Sequence, residues 1–183
     1  YVKELDGSLN DIRIVTGKSV EQMDQFAEKA AKASKALATS TTDYTEAALI
    51  YYQQGLADKE VSARTETTLK AANVTGQSGQ EVSEQLTAVW NGYQVANEAA
   101  KEGMGIYEEY VDKMAAVGAT TASNLEELAT AMSKVASAAS SMGVGFDELN
   151  AQIATIVSVT RQAPESVGTA LKTIFARIQG LNL

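Results

Sequence analysis

The chain has 183 residues, 45% apolar and only 6% aromatic, with a formal net charge of −8 and neither Cys nor His. That composition excludes disulfides, thiolate nucleophiles, zinc sites built on Cys or His, and histidine general bases. No apolar run approaches the ~18 residues of a membrane-spanning helix, and an acidic middle, residues 38–125, argues against a nucleic-acid surface, because phosphate binding needs a cationic patch. Neither a membrane span nor nucleic-acid contact is therefore expected.

Apolar residues recur at three- and four-residue steps, the period of helices that bury one face. The spacing predicts helices over 2–15, 19–38, 42–54, 58–73, 79–91, 95–117, 123–142, 147–161 and 164–179. Within 19–38 the inward stripe is Val20, Met23, Ala27, Ala30, Ser34 and Leu37. Within 95–117 it is Tyr107, Tyr110, Met114 and Val117, with Gly103 and Gly105 weakening the first half. The next stripes are Leu125, Leu128, Met132, Val135, Ala139 and Met142, then Phe146, Leu149, Ile153 and Ile156. The last is Val167, Leu171, Ile174, Ile178 and Leu181. The single proline, Pro164, stands at the start of a helix and leaves the others unbroken.

The punctuation repeats. Ser19 with Gln22, Ser78 with Glu81 and Ser123 with Glu126 read as capping boxes, in which side chain and backbone satisfy each other's hydrogen bonds across the first turn. Gly55-Leu56, Gly92-Tyr93, Gly143-Val144 and Gly180-Leu181 read as helix stops, a left-handed glycine followed by an apolar residue that packs back. Equal spacing separates Gly55 from Gly92 and Gly143 from Gly180, and GLADKEV at 55–61 echoes GVGFDEL at 143–149. Upstream, Glu46-Ala47-Ala48 echoes Glu127-Leu128-Ala129. Two helical-hairpin units fit this echo; coincidence within a low-complexity helical sequence is the alternative.

The expected fold is all-α: an elongated array of antiparallel helical hairpins, eight to nine helices, with an internal duplication as one reading. Ala-rich helices approach closely but bury little area each, which favours thin packing over one large core. The expected segments are an N-terminal helical segment at 1–38, a hairpin unit at 39–94, a connecting helix at 95–119 and a second hairpin unit at 120–183. All four are compatible with a single domain.

Nothing in the sequence nominates a catalytic, cofactor-binding or metal-ligating residue, and an enzyme is not expected. Glu108, Glu109 and Asp112 read as a solvated acidic face, and Glu126-Glu127 as charge that complements a helix dipole. Gly103-Met104-Gly105 and Gly143-Val144-Gly145 lack the further glycine or the Gly-Lys-Ser/Thr ending of a phosphate loop. Asn73-Val74-Thr75 is a glycosylation sequon by pattern alone. Trp90, Tyr51, Tyr52 and Tyr93 read as core aromatics, with one of the consecutive pair Tyr51 and Tyr52 at a rim. Arg161, Lys172 and Arg177 give the tail a cationic side.

Residues 3–56, KELDGSLNDIRIVTGKSVEQMDQFAEKAAKASKALATSTTDYTEAALIYYQQGL, carry a further signal. Leu5-Asp6 with Leu9 opens it, Val15-Thr16-Gly17 turns it, and the cluster Thr39 to Thr42 separates two Ala-rich helices before Gly55-Leu56. This arrangement resembles the core region of phage tail tape measure proteins, and so does ASSMGVGFDELNAQIATIVSVTRQAPESVGTALKTIFARIQGL at 139–181. The resemblance implies a fragment of a structural virion component that sets tail tube length during assembly and is released at genome ejection. It implies residence in the tail tube lumen after assembly in the host cytoplasm. The partners it implies are the tail tube protein, tail assembly chaperones and tail tip proteins, with self-association as a further possibility. It carries over no catalytic residue, metal or cofactor. A generic helical scaffold or adaptor unrelated to phage tails is the alternative.

Overall fold

The structure, a computed structural model, describes residues 2–93 and 106–181. Among these residues the chain forms nine helices and no strand. They are α1 Val2–Thr16, α2 Val20–Ala36, α3 Thr41–Gln53, α4 Asp58–Thr75, α5 Gly79–Gly92, α6 Ile106–Thr120, α7 Leu125–Ser141, α8 Phe146–Thr160 and α9 Pro164–Leu181. The all-α helical array read from the periodicity is what forms, with helix ends within three residues of expectation wherever both are described. The predicted stretch 95–105, including Gly103-Met104-Gly105, lies outside the described residues.

The helices gather into two compact units, residues 1–83 and 84–183. In the first unit α3 is central: α1, α2 and α4 all pack against it. Surrounded on several sides, α3 buries Thr42, Tyr44, Thr45, Ala47, Ala48, Tyr51 and Tyr52, far more than one stripe. Small residues and hydroxyls let the neighbours come close. The Ser8 and Thr45 hydroxyls meet at 2.6 Å between α1 and α3, and the Tyr51 hydroxyl meets Thr68 Oγ1 at 2.5 Å between α3 and α4. Several of these hydroxyls also reach a carbonyl one turn back on their own helix: Ser8 to Leu5, Ser34 to Ala31 and Thr45 to Thr42. The Asn73 amide donates to the Leu37 carbonyl at 2.6 Å, tying the end of α4 to the end of α2.

In the second unit α7 takes the central place, with α6, α8 and α9 packed around it. It buries Leu125, Leu128, Ala129, Ala131, Met132, Val135, Ala136 and Ala139. The two central helices are built alike. Each opens on a capping box, Ser40 with Asp43 and Asn124 with Glu127. Each closes on a left-handed glycine, Gly55 at φ 76° and Gly143 at φ 79°. Each is followed by a helix whose N-cap makes no side-chain bond, Ala57 and Gly145. At both glycines the amide two positions past the last helical turn reaches back five residues, Leu56 to the Tyr51 carbonyl and Val144 to the Ala139 carbonyl. That is the bond of a Schellman closure.

Several expectations need correction. The cap of α7 is Asn124, not Ser123; the Ser123 hydroxyl pairs with Thr121 Oγ1 at 2.6 Å instead. Gly180 does not stop its helix, since α9 runs on to Leu181, and Gly92 is the last residue of α5 but ends it without the left-handed turn: neither glycine has a positive φ. Left-handed glycines stand instead at Gly17 and Gly76, besides Gly55 and Gly143. Ser40, with Asp43 in place of the usual Glu or Gln, is a capping box that the sequence pattern passes over. Val20 is 61% exposed and does not join the inward stripe of α2, whose first buried member is Met23.

Candidate functional site

Glu108, Glu109 and Asp112 are exposed on α6. They line a shallow hollow of about 400 Å³ together with Lys113 and Ala116. Lys113 Nζ lies 2.9 Å from Glu109 and 3.0 Å from Asp147 of α8. Hydrogen bonds to Glu109 and then Asp147 hold its ammonium above the ordinary lysine range. The arrangement is an ion-pair network joining α6 to α8. Among the described residues no group of three or more His, Cys, Asp or Glu is placed to hold a metal ion. Glu126 and Glu127 stand in the first turn of α7, and Glu127 closes its capping box.

The aromatics are structural. Tyr110 and Phe146 stack with centroids 4.1 Å apart, and Tyr93 meets both rings edge-on. The Tyr93 hydroxyl donates to the Val144 carbonyl at 3.3 Å, and burial pushes its phenol above the ordinary range. Trp90 is 1% exposed and meets Tyr107 edge-on at 5.1 Å. The expected rim position for Tyr51 or Tyr52 is not found: both are buried, at 0% and 6% exposed. Consecutive side chains point about 100° apart on a helix, and α3 has neighbours in both directions. Tyr51 turns toward α4, and Phe26 of α2 meets the Tyr52 ring edge-on at 5.8 Å.

Around Tyr52 lies a small polar cluster that sequence reasoning missed, since its members are far apart in the chain. Lys18 Nζ bonds Asp58 at 2.7 Å and sits over the Tyr52 ring, while the Tyr52 hydroxyl donates to Asp58 at 3.1 Å. The Lys18 hydrogen bond is the largest cause holding Asp58 below its ordinary value. A lowered carboxylate contributes stability that is fully present above its unfolded value of about 3.9 and is lost as pH falls through the folded value. Asp58 is well exposed, so solvent screens the effect. Asp58→Asn is expected to lower the thermal midpoint at neutral pH and to converge with the unsubstituted chain in acid, as melting curves from pH 7 down to about 2 would read.

Two glycines have a role that reading them as stops, or passing them over, conceals. A Cβ on Gly92 would lie 2.7 Å from the Ala136 Cβ and 2.8 Å from the Ser137 amide of α7. A Cβ on Gly168 of α9 would fall on the Ala131 carbonyl oxygen and lie 3.0 Å from the Lys134 Cβ. Both glycines let a second backbone approach α7. One signal was present: Gly168 stands inside a predicted helix, next to its apolar stripe, where glycine costs ~1 kcal/mol against alanine. Among the tail cations, Arg161 closes α8 in the left-handed region, and its Nη1 donates to the Ala122 carbonyl at 2.7 Å. Lys172 and Arg177 remain exposed on α9. No helix among the described residues is long and apolar enough to cross a membrane.

The ion pairs, ring contacts and close-approach glycines described above join one helix to another. No solved structure matches the chain. A family model described as phage-related minor tail protein matches residues 27–181, a span that takes in helices of both units. The chain belongs to the phage-related minor tail protein family and is a structural component of the phage tail.

Proposed function

We propose that this chain is part of a tape measure protein, which sets tail tube length during assembly in the host cytoplasm and leaves the tube ahead of the genome at infection. Membership of a minor tail family already sets aside a scaffold unrelated to phage tails. The observation that carries the finer reading is that the described elements across the matched residues are all helices. The resemblance of residues 3–56 and 139–181 to the tape measure core points the same way. A ruler needs a length proportional to residue number, and an α-helix supplies about 1.5 Å per residue. As one continuous helix, a chain of this size would reach at most roughly 270 Å. The proposed location is the tube lumen, and the proposed partners are the tail tube protein, assembly chaperones and tail tip proteins. The role asks for no catalysis.

The left-handed residues mark where a folded array would have to straighten. They are Gly17, Gly55, Gly76 and Gly143, with Ala38 and Arg161 at φ 54°. Moving each to negative φ, and the extended N-caps Ser19, Ser40, Ala57, Asn124 and Gly145 to helical ψ, would let the flanking helices join, with Pro164 leaving a kink between α8 and α9. Each unit is then a compact helical array when free and an extended one when confined. Deleting ~40 residues from this region in the parent gene is expected to shorten tails by about 60 Å if the segment is extended as helix. Electron microscopy of assembled tails reads that length, and unchanged tails would sink the reading. Equal interhelix hydrogen-exchange protection in the free protein and in tails would remove the straightening while leaving the ruler.

A further inference from the structure

The apolar stripe of α9 is longer than the surface that covers it. Val167 is buried at 2% exposure beside Gly168, where the backbone meets α7, but Ile174 is 50% and Ile178 is 41% exposed. At 100° per residue Leu171, Ile174, Phe175 and Ile178 share one face, with Lys172 on one flank and Arg177 on the other. No acid follows Glu165. The distal half of α9 is therefore a cationic, apolar ridge on a chain whose net charge is −8. Two such ridges would repel each other, so the complement has to be acidic.

We propose that this ridge docks on a second copy of the chain, in the hollow of about 400 Å³ on α6 lined by Glu108, Glu109, Asp112, Lys113 and Ala116. Charge complementarity carries the choice. The hollow sets three carboxylates against one cation, Lys113, with the exposed Ala116 methyl beside them, and the ridge sets two cations around isoleucines. Both surfaces lie within residues 84–183, so each copy offers one of each. Opposed charges fix register and are screened by salt, while the isoleucines supply apolar burial. The proposal does not depend on the tape measure reading.

Analytical ultracentrifugation of the full chain tests it. A concentration-dependent dimer is expected at low salt, weakened about tenfold or more at high salt. K172E/R177E and E108K/D112K are each expected to be monomeric, with helical circular dichroism and melting unchanged. Mixing the two variants, or combining all four substitutions in one chain, is expected to restore the dimer, because both contacts again pair opposite charges. I178E is expected to abolish association without changing the charge pattern of α6. A wild-type chain that stays monomeric at every concentration overturns the proposal. So does a dimer that survives both charge reversals, or one that the swapped charges fail to restore. If a reversal unfolds the protein, the salt dependence of the unsubstituted chain and the behaviour of I178E still decide.

Discussion

Gly168→Ala is expected to destabilise the protein by about 2–3 kcal/mol, although the same change normally favours a helix. The added Cβ would fall on the Ala131 carbonyl oxygen. That oxygen belongs to the backbone of α7 and cannot rotate away as a side chain would. Relief requires α9 to lift off α7, which strips contact from Val167 and the small residues beneath it. The control is on the same helix. Around Gly180 a Cβ meets nothing within 4 Å, so Gly180→Ala is expected to raise stability by up to about 1 kcal/mol, less if the helix end frays. Denaturant titration followed by circular dichroism compares the two. Loss at 168 and gain at 180 is the expected pair. A gain at both positions would mean that α9 does not pack as described.

Trp90→Ala is expected to cost about 4 kcal/mol, the range for emptying a fully buried large aromatic site. Trp90 is 1% exposed, shares its helix with buried Leu86 and Val89, and meets Tyr107 edge-on. A loss of that size is a large fraction of the 5–15 kcal/mol that a domain typically has. Because Trp90 is the chain's single tryptophan, the unsubstituted protein should fluoresce as a buried indole, and its red shift in denaturant should coincide with the loss of helix. A variant that keeps its stability but loses a tail partner would make Trp90 a binding residue instead.

The helices were legible because the signals that make them are local. A capping residue, an apolar stripe and a left-handed stop each lie within a few positions, and they set the ends of α2, α7 and α8 closely. What was not legible depends on a second surface. Gly55 and Gly92 are both followed by an apolar residue, yet one turns the chain and the other admits a neighbouring backbone. Only the presence of α7 beside Gly92 separates the two roles. Ser123 and Asn124 each precede a glutamate at the capping distance, and the tie was broken by the Thr121 hydroxyl. Tyr52 looked too many for one core because the stripe argument allots a helix one buried face, whereas α3 has neighbours on several. Family membership was legible only through the combination of turns and Ala-rich helices, since no one of those motifs is specific by itself.

The hydroxyl-rich packing of the first unit has a consequence for how its helices could be drawn apart. Ser8, Ser34 and Thr45 each face a partner on another segment, at Thr45, Thr41 and Ser8 respectively, and each also has an acceptor one turn back on its own helix. When such helices separate, the hydroxyls are not stranded: each can donate its proton to the carbonyl one turn back, and water takes the vacated side. A purely aliphatic seam would resist wetting until it opened all at once. Under a pulling load this one should give way in small reversible steps, at low force, with the individual helices still intact.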